Sequence, residues 1–332
     1  MQVPVNVPWL LEYVDAVNVE LQELYPKPGK TDLEKAAADA LSVGGKRVRA
    51  ALALLWCEEY SGECKPAVPL AVAYELAHAS ALVQDDIIDH SETRRGAKSI
   101  AAKYGLTTAI LASDLLLFNV PREVAKYQTM DSRRLARIFD LVGEACRATT
   151  WGEFLDMEMA GGTEGTEKDY EDMIRLKTST LLSAPCVSGA LVGGATEEQA
   201  ELAGRFGEEL GMAYQIQDDA LDLVGDETTL GKPVLTDLRG GKKSVILLHC
   251  LNHCSGDDRN FILGLLNRSG PYGAEEVTKL RSLIEENGSL EYAKRRVMVY
   301  SDRAREIVGL APDTAARSRL LELTDYLASR YY

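Results

Sequence analysis

Apolar residues recur along this chain at intervals of three and four, and nowhere do they alternate long enough to make a useful strand. The first periodic stretch runs from Trp9 to Leu24, with Leu10, Val14, Val17, Leu21 and Leu24 on one face. The breaker Tyr25-Pro26-Lys27-Pro28-Gly29-Lys30 ends it. Thr31-Asp32-Leu33-Glu34 then reads as a capping box for a helix over Leu33 to Leu41. Further helices are predicted from the Gly44-Gly45 pair to about Tyr60, over Pro66 to His90, Thr107 to Phe118, Ser132 to Glu158, Tyr170 to Leu182 and Ala200 to Leu223. After the loop Gly225 to Gly241 come Val245 to Asn252, Asp257 to Asn267, Ala274 to Asn287, Leu290 to Val308 and Pro312 to Ala328. Pro312 suits a first helical turn, where its missing N–H costs nothing. No clear repeat of about 20–50 residues stands out. The pattern predicts an all-α bundle of roughly ten or more helices in one domain covering residues 1–332.

The net charge of −14 argues against nucleic acid as the main partner. Met1 to Pro8 lacks a basic leader region, and the longest apolar run, Leu181 to Ala195, is broken by Pro185 and too short to cross a bilayer. No transmembrane segment is expected, and the setting is read as cytoplasmic. Cys57, Cys64, Cys146, Cys186, Cys250 and Cys254 are scattered, as reduced thiols in a cytosolic protein would be. His249, Cys250, His253 and Cys254 carry metal-ligand chemistry at helical spacing, but no second ligand cluster accompanies them, so an ordinary helix end is favoured.

The stretch Gln84-Asp85-Asp86-Ile87-Ile88-Asp89 has a distant twin, Gln217-Asp218-Asp219-Ala220-Leu221-Asp222. On a helix Asp85 and Asp89 stack one turn apart with Asp86 beside them, and Asp218, Asp222 and Asp219 do the same. One such set reads as a solvated acidic helix end. Two sets among apolar residues call for a cation between them, and Mg²⁺ commonly bridges carboxylates to phosphates. Cationic clusters accompany them. Gly44-Gly45-Lys46-Arg47-Val48-Arg49 opens a helix as an anion cradle. His78 lies two turns before Asp85 on the same face, and the adjacent Arg94 and Arg95 suit a diphosphate. Lys177-Thr178, Lys232 and Lys242-Lys243 add further cations near the motifs in sequence.

Together these residues resemble the head-to-tail isoprenyl diphosphate synthases, the polyprenyl synthetase family, from about Leu41 to Ile246. The family's Gly-Gly-Lys-x-x-Arg is matched by Gly44, Gly45, Lys46 and Arg49, and its first aspartate-rich motif with Arg-Arg-Gly by Asp85, Asp86, Asp89, Arg94, Arg95 and Gly96. Lys177-Thr178, Gln215 with the second Asp set, Gly231-Lys232, and Asp237 with Gly241-Lys242 follow in order. The resemblance implies an isoprenoid-synthase bundle around a central cavity. It further implies condensation of isopentenyl diphosphate with an allylic diphosphate by ionisation, condensation and elimination, carried out by a homodimer. Asp85, Asp89 and Asp218 would be the principal Mg²⁺ ligands, about three ions per site, with Asp86, Asp219 and Asp222 outside them. Arg94, Lys177, Lys232 and Lys242 would bind the allylic diphosphate, and Lys46, Arg49, His78 and Arg95 the isopentenyl diphosphate. Thr178 and Gln215 would stabilise the carbocation. Departures from the family pattern are Lys98 and Ala101 after Arg-Arg-Gly, Ser113 in Ala112-Ser113-Asp114, Glu153 for Gln in Gly152-Glu153-Phe154-Leu155-Asp156, and Ile246 for Pro.

Product length depends on the pocket floor below the first motif. Ala81 and Ala77 lie one and two turns from Asp85, about 6 and 12 Å away, with Ser80 beside Ala81. These small residues leave the pocket open, and Leu117 and Phe118 are candidate deeper floors, which predicts a product of C20 or longer. The alternatives are a farnesyl diphosphate synthase, a related terpene synthase, or a non-catalytic regulatory subunit of a heteromeric synthase. Two intact Asp sets and a complete isopentenyl set favour the chain-elongating enzyme.

Overall fold

The computed structural model describes residue 7 and residues 9–42, 45–161, 165–225, 235–268 and 270–328. The periodic stretches fold as α1 (Trp9–Tyr13), α2 (Asp15–Leu24), α3 (Asp32–Ser42), α4 (Val48–Ser61), α5 (Val68–Ile88), α6 (Ile100–Tyr104), α7 (Leu106–Val124), α8 (Ser132–Gly161) and α9 (Glu167–Ile174). They continue as α10 (Thr180–Val192), α11 (Glu197–Val224), α12 (Thr236–Arg239), α13 (Val245–His253), α14 (Gly256–Leu266), α15 (Ala274–Glu286), α16 (Ser289–Val308) and α17 (Ala315–Ala328). The expected all-α class is what the chain adopts. Among the described residues strands pair only in an antiparallel ribbon, β1 (Thr93–Arg94) with β2 (Ala97–Lys98).

Two apolar cores hold the helices. One gathers α1 to α5, α7, α10, α17 and the first half of α11, around Trp56, Tyr74 and Phe206. The other gathers α9, α12 to α16 and the second half of α11, from Met212 to Leu223. Helix α11 therefore belongs to both, and its last turns, which carry the second Asp set, are held by the second core. Helix α5 packs along α7, α4 and α10. Residues 65–88 are long and apolar enough to cross a membrane, but 67% of that stretch is buried inside the protein, as the central helix of a bundle requires.

The capping box at Thr31 forms as expected: Glu34 N donates to Thr31 Oγ1 at 3.2 Å and Thr31 N to Glu34 Oε2 at 2.8 Å. Other boundaries differ from the sequence reading. Trp9 to Leu24 is two helices broken at Val14, yet Val14 and Val17 stay in one core, which is why the periodicity runs through the break. Tyr170 to Leu182 divides around a π turn at Arg175–Ser179, and α10 then continues through Pro185 to Val192. Burial along α10 overrides the cost of a proline there. The last helix starts at Ala315 rather than Pro312, because Thr314 offers Oγ1 to Arg317 N at 3.0 Å as a cap.

Candidate active site

Helix α5 delivers the first motif. Asp85 and Asp86 lie in its last turn, and Asp89 caps it, with its N–H bonded to Asp85 O at 2.9 Å. The chain then reverses through β1 and β2. Arg95 and Gly96 form the two-residue turn, both with positive φ (51° and 79°), as a type I′ hairpin needs. The hairpin swings Arg94 back over the motif: Nη2 meets Asp85 Oδ2 at 2.5 Å and Nε meets Asp86 Oδ1 at 2.7 Å.

Lys177 enters from the π turn, a wide turn that often marks a functional position. Helix α8 crosses it closely. A Cβ on Gly152 would lie 2.3 Å from the Lys177 amide nitrogen, so only glycine fits. The crossing puts Lys177 Nζ 2.7 Å from both Glu153 Oε2 and Asp156 Oδ2, and 3.6 Å from Asp85 Oδ1. Lys242 arrives between α12 and α13, 2.7 Å from Asp89 Oδ2, 3.8 Å from Asp156 Oδ2 and 3.9 Å from Asp237 Oδ1.

In this knot the carboxylates of Asp85, Asp86, Asp89, Glu153, Asp156 and Asp237 share the cations Arg94, Lys177 and Lys242. Titration reflects the imbalance. Burial pushes Asp86 and Glu153 up despite Arg94 and Lys177 beside them. Asp237 is pushed far up, by burial first and then by Asp222 and Asp219. At Asp85 burial acts upward, but Lys177, Lys242 and Arg94 together outweigh it and hold the carboxyl down. A half-buried site of oxygen donors with surplus negative charge fits hard divalent cations such as Mg²⁺. Among the described residues no three His, Cys, Asp or Glu side chains surround a common metal position; ammonium and guanidinium groups lie between the carboxylates.

The second motif is engaged differently. Asp219 Oδ2 accepts from Tyr170 OH at 2.6 Å and Oδ1 from Gln215 Nε2 at 2.7 Å, while Gln215 Oε1 accepts from Thr178 Oγ1 at 2.6 Å. Burial pushes Asp219 up to about 7 against these donors. Asp222 anchors α12: Oδ1 accepts from Thr236 N and Oγ1 at 3.2 and 2.5 Å, and Oδ2 from Asp237 N at 3.0 Å. Both oxygens of each carboxylate thus carry neutral protein donors. Asp222 also fixes the start of the segment that brings Lys242 to Asp89.

A second cationic cluster stands beside the first motif. Gly45 has φ 153°, and a Cβ there would lie 2.6 Å from Arg95 Nη1, so the glycine loop and the hairpin touch. Arg47 is structural. Its guanidinium bonds Glu75 Oε2 at 2.9 Å, Leu41 O at 2.6 Å and Asn18 Oδ1 at 3.2 Å. The buried Glu75 also accepts from Ala50 N at 3.3 Å, tying α4 to α5. Arg49 Nε is buried without a hydrogen-bond partner. Lys46 lies over the Tyr326 ring at 4.8 Å, which brings α17 to this cluster. His78 is held well below its usual range by burial and by Arg49, Arg95, Arg94 and Arg47, so its imidazole is neutral at pH 7. The structure therefore brings Arg49, His78 and Arg95 together, with Lys46 next to Gly45. Gly44 and Lys232 lie outside the described residues.

The expected pocket floor needs correction. Ala81 is half-buried on the face that carries His78 and Asp85, whereas Ala77 and Ser80 are only 4% and 2% exposed. Ser80 turns onto α7, its Oγ 2.9 Å from Ser113 Oγ. Leu117 is half-buried against the first core, but Phe118 is 70% exposed and forms no floor within its own chain. Helix α7 buries Ala109, Ala112, Ser113 and Leu116, and Phe118 falls on the opposite side.

Sequence reasoning placed Asp156 and Asp237 in family motifs without giving either a role, and it left out Tyr170. Asp156 had a signal in Gly152-x-x-x-Asp156; Tyr170 had none, because its partner is 49 residues away. The His/Cys set on α13 is a packed helix end. The His249 and His253 rings stack at 4.0 Å, His249 stacks on Tyr292 at 4.2 Å, and Cys250 Sγ is 3.8 Å from Cys254 Sγ.

The chain is similar to known proteins over most of its length. The polyprenyl synthetase family model matches residues 30–284. A geranylgeranyl diphosphate synthase of Methanosarcina mazei is 32% identical over 316 residues, 95% of each chain. A geranylfarnesyl diphosphate synthase of Aeropyrum pernix is 34% identical over 306 residues, 90% of this chain and 94% of that one. The crystal structure of geranylgeranyl pyrophosphate synthetase from Pyrococcus horikoshii superimposes with a TM-score of 0.91 at 31% identity, over 98% of both chains. With these matches and the two Asp sets in place, the chain belongs to the polyprenyl synthetase family.

Proposed function

We propose that this chain joins isopentenyl diphosphate to an allylic diphosphate and releases a polyprenyl diphosphate of C20 or longer. One observation carries the reading: a carboxylate knot suited to metal and diphosphate lies beside a separate cationic cluster of Arg47, Arg49, His78 and Arg95 in which Glu75 pairs with Arg47. Two anionic substrates need two such sites. The names of the archaeal relatives, geranylgeranyl and geranylfarnesyl diphosphate synthases, support the product range.

Asp85, Asp89 and Asp218 would hold Mg²⁺, about three ions by family resemblance; bound there, the metal supplies Lewis-acid neutralisation of the diphosphate leaving group. Arg94, Lys177 and Lys242 exchange their carboxylate partners for diphosphate oxygens and, with Lys232, orient the allylic substrate. Lys46, Arg49 and Arg95 hold the isopentenyl diphosphate, and neutral His78 adds a hydrogen bond without another charge. As the allylic C–O bond ionises, the oxygens of Thr178 and Gln215 face the positive carbon. Apolar walls below Ala81 keep water from capturing it. After the new C–C bond forms, a proton passes to the departing diphosphate.

The acting unit is a homodimer in a reducing, cytoplasmic setting. Leu106, Ile110 and Phe118 lie at multiples of four along α7 and are 55%, 45% and 70% exposed. Phe139, Trp151 and Phe154 are exposed on the adjoining α8. A second copy covering both helices would remove this apolar surface from water. The six free thiols suit the compartment.

Incorporation of labelled isopentenyl diphosphate into solvent-extractable product tests the reading. The wild type should need both Mg²⁺ and an allylic starter, and Asp85→Asn or Asp218→Asn should lose roughly 10²-fold or more. Full activity in those variants, or none in the wild type, refutes it.

A further inference from the structure

We propose that Tyr170 is a positioning residue for carbocation formation: through Asp219 it fixes the amide of Gln215, so that the amide oxygen joins Thr178 in facing the allylic carbon. The inference rests on the prenyl-transfer reading above. Tyr170 is 1% exposed on α9, and its hydroxyl donates to Asp219 Oδ2 at 2.6 Å. Asp219 is 8% exposed, and its other oxygen accepts from Gln215 Nε2 at 2.7 Å. With the Tyr170 hydroxyl donating to Oδ2, Asp219 presents Oδ1 as an acceptor, and Gln215 turns its NH₂ group toward it. Its carbonyl oxygen is thereby left to Thr178 Oγ1, 2.6 Å away and adjacent to Lys177 in the π turn.

The order matters chemically. An amide oxygen and a hydroxyl oxygen carry partial negative charge and stabilise a cation, whereas an amide NH₂ in the same place repels it. Neither Gln215 nor Thr178 sets the amide's orientation alone, since a hydroxyl can donate or accept. The carboxylate sets it, and Tyr170 occupies the second carboxylate oxygen. Without the Tyr170 hydroxyl, Asp219 keeps Gln215 as its one donor among the described residues and is free to rotate about its terminal torsion, which is broad and roughly two-fold. Gln215 then loses its fixed partner.

The test compares two competitive analogues of the allylic diphosphate of equal length, each with Mg²⁺. One carries an ammonium nitrogen at the position of the cationic carbon, and the other is an uncharged thiolo-diphosphate. The wild type should bind the ammonium analogue more tightly. Tyr170→Phe should lose about tenfold in kcat and about tenfold in affinity for the ammonium analogue, with KM for both substrates and affinity for the thiolo analogue unchanged. Gln215→Met removes the oxygen directly and should lose the same preference, and adding Tyr170→Phe to it should cost nothing more. Equal weakening of both analogues in Tyr170→Phe, or full retention of the preference, overturns the proposal. Additive losses in the double variant overturn it as well. A wild type without any ammonium preference overturns the carbocation reading on which the proposal stands, and the proposal with it.

Discussion

The Ser80–Ser113 pair makes the product-length question sharp. A phenylalanine at position 80 or 81 stands about 6–8 Å along α5 from Asp85. Ala81 is half-buried on the face of α5 that carries Asp85, so on the proposed reading Ala81→Phe puts a ring into the path of the growing chain at little structural cost. Position 80 differs, because the Ser80 and Ser113 hydroxyls are 2.9 Å apart and both side chains are buried. That contact leaves no room for a ring between α5 and α7, so the ring is expected to turn toward the Ala81 side. The Ser113 hydroxyl then keeps only the longer bond to Ser80 O, at 3.3 Å, and the lost side-chain bond costs about 1 kcal/mol. For a chain of this size that lowers Tm by about 2 °C. Both variants should therefore stop at C15 or shorter when dephosphorylated products are sized by chromatography. Ser80→Phe alone should lose thermal stability, and Ser113→Ala should cost less on that background than in the wild type. Products of C20 or longer from both variants would refute the placement of the pocket wall. Equal Tm values for Ala81→Phe and Ser80→Phe would refute the hydroxyl pair.

Gly152→Ala should disable the enzyme, since its Cβ meets the Lys177 backbone at 2.3 and 2.6 Å and α8 must move; kcat/KM should fall roughly 10²-fold, measured beside a thermal melt showing a folded chain. Asp39 joins α3 to α6, and although burial acts upward, Lys103, Lys27 and Tyr104 hold its carboxyl well below the usual range. A depressed carboxylate contributes stability above its unfolded value near pH 4 and loses it as pH falls further. Asp39→Asn should thus cost about 1 kcal/mol at pH 7, after screening at the half-exposed lysines, with the gap to wild type closing in denaturation curves below about pH 4. Phe118→Glu should shift the sedimenting species from dimer toward monomer; an unchanged dimer would remove α7 from the interface.

The features legible in the sequence are those written in local spacing. The two Asp sets, the glycine loop before Lys46 and the capping box at Thr31 each depend on residues within a turn or two of one another. The π turn at Arg175–Ser179 was not legible, because it exists only where α8 presses Gly152 against it. The hairpin at Arg95-Gly96 is too short to show strand alternation, although its glycine marked a turn. Tyr170 gains its meaning from a partner on another helix, so no spacing rule finds it, whereas Asp156 was visible as part of a motif but its pairing with Lys177 was not. Phe118 misled for the opposite reason. Helix α7 buries alanines, a serine and Asn119 against α5 and turns several of its largest apolar side chains outward. Size and hydrophobicity then point away from the core. The first motif itself came out slightly shifted, with Asp89 as the cap rather than inside the helix, and that shift lets the chain turn at once into the Arg94 hairpin.

The most direct test of the account is the mass of the product. Purified chain is incubated with Mg²⁺, isopentenyl diphosphate and, separately, C5, C10 and C15 allylic starters, and the prenyl diphosphates are measured by mass spectrometry. The account predicts products of C20 or longer, each heavier than its starter by whole isoprene units, and none when Mg²⁺ is chelated. A C15 limit would contradict the open pocket beside Ala81, and no isopentenyl-dependent product with any starter would contradict the synthase itself.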